Sequence, residues 1–423
     1  MPNDTFPESS TKQQIIETAA RHVCPHRVDT FKLMGTVPVM GRREGNYFWD
    51  MDGKKLFDVH INGGTYNLGH RNPEIIATLR AALDHYDIGN HHFVSGPRAR
   101  LAETLCRLSP GEMQYCVFTT SGAEAVDVTL RTARKATGRR KIVSFAGSYH
   151  GHGGLSLRAG YSEQAEYFLS DTPEGEFIQV PFDDVEAMGK VLDGGDIAAV
   201  LCEMIPATNG FPMPSPGYYE AVKALCDDHG TVFIADEVQT GLGRTGDFWA
   251  CDGYGVAPDM LITGKGLTGG VYPIAAAVMS EAVSGWIRED GWGYSSTAGG
   301  SEPGCMVALK VLEILQRPEI LKNVRARSAQ LATGLQGIRS RHRFLRDIRQ
   351  NGLVIGLRFD HPDGGLLMSG CCYEVGLWAF PAGFERSVLQ FKPNLLIDSA
   401  GCDEILTLLE RAIGLCEKHV GLG

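Results

Sequence analysis

Short apolar runs alternate with helical patterns through the middle of the chain. The runs fall at residues 116–120, 141–145, 198–202, 231–235 and 260–263, and a helix-like stretch at 123–137 stops at Gly138. Strands that are apolar without alternation have both faces covered, so the pattern predicts an α/β fold on a mostly parallel sheet. Just beyond these runs stand Ser121, Tyr149, Glu203, Asp236 and Lys265. Ligands of open α/β sheets sit beyond the carboxyl ends of the strands, so these five side chains are expected at one edge.

The C-terminal third reads differently. Helical patterns near 303–315 and 320–341 lead into an α+β piece with strand-like 353–359 and 388–391 and a last helix near 402–418. Strand-like Tyr47-Phe-Trp49 and a turn at Asp50-Met-Asp-Gly53 place the first seventy residues with that piece. The expected division is residues 1–70 packing with a small domain, 71–316 as the large domain and 317–423 as the small domain.

Composition narrows the function. With 423 residues, 43% hydrophobic and 21% charged, the chain can bury a large core. A net charge of −10 argues against nucleic acid and favours small-molecule partners. No apolar run approaches the roughly 18 residues of a membrane span, and the polar start is unlike a signal peptide. Eleven cysteines without a CxxC pair fit reduced thiols in a cytoplasm.

Three positions carry candidate chemistry. Ser121-Gly122-Ala123 opens a helix, where backbone N–H groups and a hydroxyl make an anion site, or where serine is simply an N-cap. Asp236 ends an apolar run and could hold the proton of a pyridinium nitrogen, or serve a turn. Lys265 stands between glycines that allow a ligand close to the backbone; a deprotonated lysine there forms an imine, whereas an ordinary one is solvated. Gly241-Leu-Gly-Arg-Thr-Gly246 matches a dinucleotide fingerprint, but Asp259 precedes its strand and the long helix of a βαβ unit is missing. His91-His92 and His150-Gly-His152 lack partners at metal-ligand spacing, so no metal site is predicted.

Taken in order, longer motifs resemble one family. Ile234-Ala-Asp-Glu-Val-Gln-Thr-Gly-Leu-Gly-Arg-Thr-Gly246 closely resembles the signature segment of class III aminotransferases, and Tyr254-Gly-Val-Ala-Pro-Asp259 and Gly264-Lys-Gly266 continue it. Asn67-Leu-Gly-His70, Leu101-Ala-Glu103, Ser121-Gly-Ala-Glu124 and Tyr149-His-Gly151 fit as well. The resemblance implies the fold-type-I architecture, pyridoxal 5'-phosphate as cofactor, and a homodimer (with a tetramer as the alternative) whose site lies between subunits. It implies Lys265 as the Schiff-base lysine and proton carrier and Asp236 on the ring nitrogen. Gln239 would lie near the ring hydroxyl, with Val238 and Tyr149 on the two ring faces. Ser121, Gly122 and Ala123 would bind the phosphate, Thr297 would reach it from the other subunit, and Glu203 matches an acidic residue near the cofactor. The implied activity is ping-pong transfer of an amino group from an ω-amine or unusual amino compound to a keto acid or aldehyde. A lyase of phospho-lyase type, a racemase or epimerase, or an aminomutase on the same scaffold is the alternative.

The sequence departs from the family where substrate is held. Relatives acting on α-keto acids place an arginine where this chain has Gln390, in Val388-Leu-Gln-Phe-Lys392-Pro. The glutamate that gates that arginine is also missing from Ile205-Pro-Ala-Thr-Asn-Gly210. An amide cannot reproduce a bidentate guanidinium–carboxylate clamp. Either Lys392, Arg158, Arg386 or Arg98 supplies the charge, or the substrate lacks that carboxylate; Gln390 and Lys392 are the substrate-site candidates.

Overall fold

The computed structural model of the chain describes residues 10–170 and 172–421. Its centre is a seven-stranded sheet. The strands are β1 (Met113–Thr119), β2 (Lys141–Phe145), β3 (Phe177–Val180), β4 (Ile197–Glu203), β5 (Val232–Asp236), β6 (Met260–Thr263) and β7 (Ala275–Ser280). They lie in the order β1-β7-β6-β5-β4-β2-β3, and β7 alone runs antiparallel to its neighbours. Every residue of β4, β5 and β6 is buried, which is why those segments read as unbroken apolar runs.

The helix Gly122–Thr137 covers one face of this sheet, burying Val126, Val128, Leu130 and Ala133 among others. Each buried valine or leucine contributes about 1.5–3 kcal/mol. The helix ends where Gly138 takes φ +66, a left-handed cap that costs glycine little. Two strands escape the sequence pattern. β7 is Ala-Ala-Ala-Val-Met-Ser, rich in the residue with the highest helix propensity, and it becomes a strand only because β1 and β6 flank it. β3 is four residues long, too short for a period to register.

The chain ends build two smaller sheets. Met40–Glu44, Tyr47–Asp50 and Lys55–Asp58 form a meander whose last strand pairs in parallel with Leu377–Trp378. Gly53, at φ +83, donates its N–H to the Asp50 carbonyl (2.8 Å) and closes the turn between two of these strands. Leu345–Asn351, Val354–Phe359, Val388–Phe391 and Phe380–Pro381 form the other sheet, backed by the helices Pro318–Arg341 and Ser399–His419. Among the described residues no helix is long and apolar enough to cross a membrane.

Candidate active site

Parallel pairing brings the site together. In the register of β4 with β5, Glu203 stands opposite Asp236; β5 pairs onward with β6, three residues before Lys265. The loop after β2 carries Tyr149, and the helix starting at Gly122 follows β1. These strand ends open on a cavity of about 620 Å³, lined by Ser121, Gly122, Ala123, Tyr149, Glu203, Asp236, Val238, Gln239 and Lys265, together with His150. Volumes of a few hundred Å³ suit a cofactor with a small substrate.

Each end of the cavity has its own chemistry. At one end, backbone N–H groups open a 16-residue helix. The Ser121 hydroxyl accepts from Glu124 N (3.3 Å), so the capping role and the cavity position coexist. Gly151 lets the Tyr149 loop close over this terminus, since a Cβ there would stand 2.4 Å from the Ala123 Cβ. At the other end, Asp236 Oδ2 accepts from His150 Nδ1 (2.7 Å) and Oδ1 from Val238 N (3.1 Å), which fixes the carboxylate. Alternation along the strand sends Glu237 to the opposite face, where it accepts from Cys251 N (2.8 Å) and Thr240 Oγ1 (2.5 Å). Only the first carboxylate of the Asp236-Glu237 pair belongs to the site.

Lys265 lines the same cavity. Its φ of +41 is a left-handed conformation uncommon for a side-chain-bearing residue. Its flanking glycines are needed: a Cβ on Gly266 would lie 2.7 Å from Asn67 Nδ2, and one on Gly264 would lie 3.2 Å from the Ala275 Cβ. Burial lowers the Lys265 amine below its ordinary value, against the pull of Asp236 and Glu203. A neutral amine, the nucleophilic form, is thereby brought closer to neutral pH. An anion cradle, an oriented carboxylate and an amine lining one cavity fit the phosphate, ring nitrogen and aldehyde of pyridoxal phosphate.

Glu203 has a structural task in the site. Its carboxylate accepts from Tyr149 N (2.7 Å) and Ala207 N (3.2 Å), tying two loops to the end of β4. Burial raises this carboxyl from 4.5 to about 7; His150 opposes the rise and Asp236 adds to it. A carboxyl with a raised folded value stabilises the fold by holding a proton. That contribution is complete below about 4.5 and is lost as pH rises through about 7. Glu203→Gln, which cannot ionise, is therefore expected to gain on the parent by ~3 kcal/mol across that window in thermal melts of the cofactor-free protein. A difference in Tm that stays constant with pH would refute this.

Several sequence candidates lie elsewhere. Arg98 donates to the carbonyls of Gly300 (3.0 Å), Phe93 (3.2 Å) and Asn90, Arg386 pairs with Asp363 (2.7 Å), and Arg158 lines a separate cavity. Thr297 is exposed and outside this chain's cavity. Gln390 and Lys392 are buried behind the cavity wall rather than lining it. The Gln390 amide is engaged at both ends, accepting from Lys392 Nζ (2.7 Å) and donating to the Pro381 carbonyl (3.1 Å). The Gly241–Gly246 segment is a turn whose first glycine makes room for Trp249, because a Cβ would meet that ring at 2.6 Å. Asp259 accepts from Phe233 N (2.8 Å), a backbone task. His150 is the site residue that sequence reasoning set aside; its place directly after Tyr149 was the available signal.

The sequence profile of the family described as aminotransferase class-III matches residues 34–413. An uncharacterized aminotransferase of Archaeoglobus fulgidus is 45% identical over 408 residues, covering 96% of each chain. The crystal structure of the ornithine aminotransferase from Toxoplasma gondii superposes with a TM-score of 0.88 at 23% identity, covering 97% of this chain and 96% of that one. A PMP-bound aminotransferase from Vibrio fluvialis superposes with a TM-score of 0.82 at 22% identity, covering 90% and 93%. The fold is that of a fold-type-I pyridoxal-phosphate enzyme. The chain belongs to the class-III aminotransferase family and is a pyridoxal-phosphate-dependent transaminase.

Proposed function

We propose that the enzyme transfers an amino group from an ω-amine, or another amine without an α-carboxylate, to a keto acid or aldehyde in two ping-pong half-reactions. One observation carries the reading: among the described residues no arginine lines the cavity, and the position where relatives carry one is a glutamine with both amide ends engaged. A carboxylate brought there would lose its hydration without a charged fork to replace it.

In this reading Ser121, Gly122 and Ala123 hold the phosphate, and Val238 and Tyr149 confine the ring. Asp236, oriented by His150, holds the ring-nitrogen proton, and Gln239 lies at the ring hydroxyl. Bound pyridoxal phosphate supplies an electron sink for the substrate carbon. Lys265 takes the proton from that carbon and returns it, and Glu203 keeps the Tyr149 loop in place. Thr297 serves the partner's phosphate in a homodimer. The exposed apolar side chains Phe93 (76%), Val94 (98%) and Trp292 (65%) support a second copy docking beside the Thr297 loop. The pairing of Phe57–Asp58 with Leu377–Trp378 supports residues 1–70 and 317–423 acting as one small unit beside 71–316. Eleven free thiols fit a reducing compartment.

The test is to add candidate amines to the holoenzyme without keto acid and follow cofactor absorbance. Light scattering on the same sample should give the mass of two chains. Amines lacking the carboxylate should bleach the band, and a keto acid or aldehyde should restore it. Equal bleaching by α-amino acids would remove the proposed specificity. A band that recovers unaided while substrate disappears would assign elimination or isomerisation instead.

A further inference from the structure

Lys392 is a fully buried lysine that approaches the site from the opposite sheet. It directly follows the strand Val388–Phe391 and is 0% exposed. Its Nζ donates to Gln239 Oε1 (3.0 Å) and to Gln390 Oε1 (2.7 Å), and lies 5.0 Å from the centre of the Phe211 ring. Among the described residues it has no carboxylate partner within the 4.0 Å of an ion pair. Burial, with Lys265 and Arg244 nearby, pushes this amine well below its ordinary value, against the pull of Glu203 and Asp58. Two of its N–H bonds are taken by amide oxygens here. An amine buried behind the cavity wall and engaged in this way is poorly placed to clamp an anionic substrate.

We propose that Lys392 is a positioning residue: by taking the Gln239 oxygen, it locks that amide with its N–H₂ end turned into the cofactor cavity. Gln239 lines the cavity, and its Nε2 donates to no protein group among the described residues. A planar amide held by its oxygen has its nitrogen branch directed away from the anchor. Gln390 is locked by the same amine and donates its own Nε2 to Pro381 O (3.1 Å), so the anchor is itself braced. Without Lys392 the Gln239 side chain is free to turn over or to rotate away. Ordering it in advance removes an entropic cost that would otherwise fall on cofactor binding.

The inference rests on the reading above that the ring hydroxyl of the cofactor lies at Gln239. An N–H donor there stabilises the oxygen's negative charge, most of all when the neighbouring nitrogen has lost its proton. The pH midpoint of the bound cofactor's absorption band therefore reports on the lock. We would titrate substrate-free holoenzymes of the parent, K392M, Q239L and the double variant. K392M and Q239L are each expected to raise the midpoint by about one pH unit. The double variant should shift no further than Q239L alone, because one group acts through the other. K392L, also without a donor, carries the same test should K392M not fold. An unshifted midpoint in the Lys392 variant, or additive shifts in the double variant, would overturn the proposal. Borohydride reduction of the parent that leaves no cofactor mass on Lys265 would overturn the underlying reading instead.

Discussion

Replacing Lys265 with alanine is expected to lower the rate of amino-group transfer by about 10⁴-fold or more, because under the proposed function the change removes a covalent anchor and a proton carrier at once. The site prepares this amine in two ways. Burial shifts it toward its neutral form, and the close packing around Gly264 and Gly266 holds it at the end of β6 against the cavity. A buried amine is also a cost to folding. The cofactor-free K265A protein should therefore melt no lower than its parent, which separates lost chemistry from lost structure. Single-turnover absorbance with amine in excess measures the first, and calorimetry the second. A K265A variant that keeps a rate within tenfold of the parent would dismiss Lys265 from both roles.

The second large effect is expected at Asp236. Asp236→Asn keeps the shape of the side chain but removes the charge that, in the proposed function, holds a proton on the ring nitrogen. Losing one partner of a buried ion pair costs about 3–5 kcal/mol, so the rate should fall by roughly 10²-fold or more. Because His150 Nδ1 and Val238 N both bond the carboxylate, the asparagine should stay in position but present an amide to His150. The control is a cofactor analogue methylated at the ring nitrogen, which carries a permanent positive charge. If Asp236 acts through that charge, the analogue should narrow the gap between D236N and its parent. An equal deficit with both cofactors would show that Asp236 matters for packing rather than for the ring.

Much of this was open to reading in the chain itself. Runs at 141–145 and 260–263 coincide with strands, and Gly138 ends the helix as its position suggested, because each is set by neighbours a few residues away. β7 was hidden because its alanines prefer a helix until two strands enclose them. The Glu237 and Gly241 decisions depended on which face each residue takes and on what stands opposite it, here Cys251 and Trp249.

By itself, the sequence determined five of the seven strands of the central sheet, their converging ends, the lysine between its glycines and the family. All of these follow from local periodicity, turn residues and motif order. Only the tertiary structure decided what supports the site. His150 meets Asp236 across 86 residues, and Lys392 meets Gln239 across 153. The first contact joins two strand ends of the central sheet, and the second joins that sheet to the one carrying Lys392. Their geometry follows from the order of strands within one sheet and from how two sheets pack, and no local spacing along the chain encodes it.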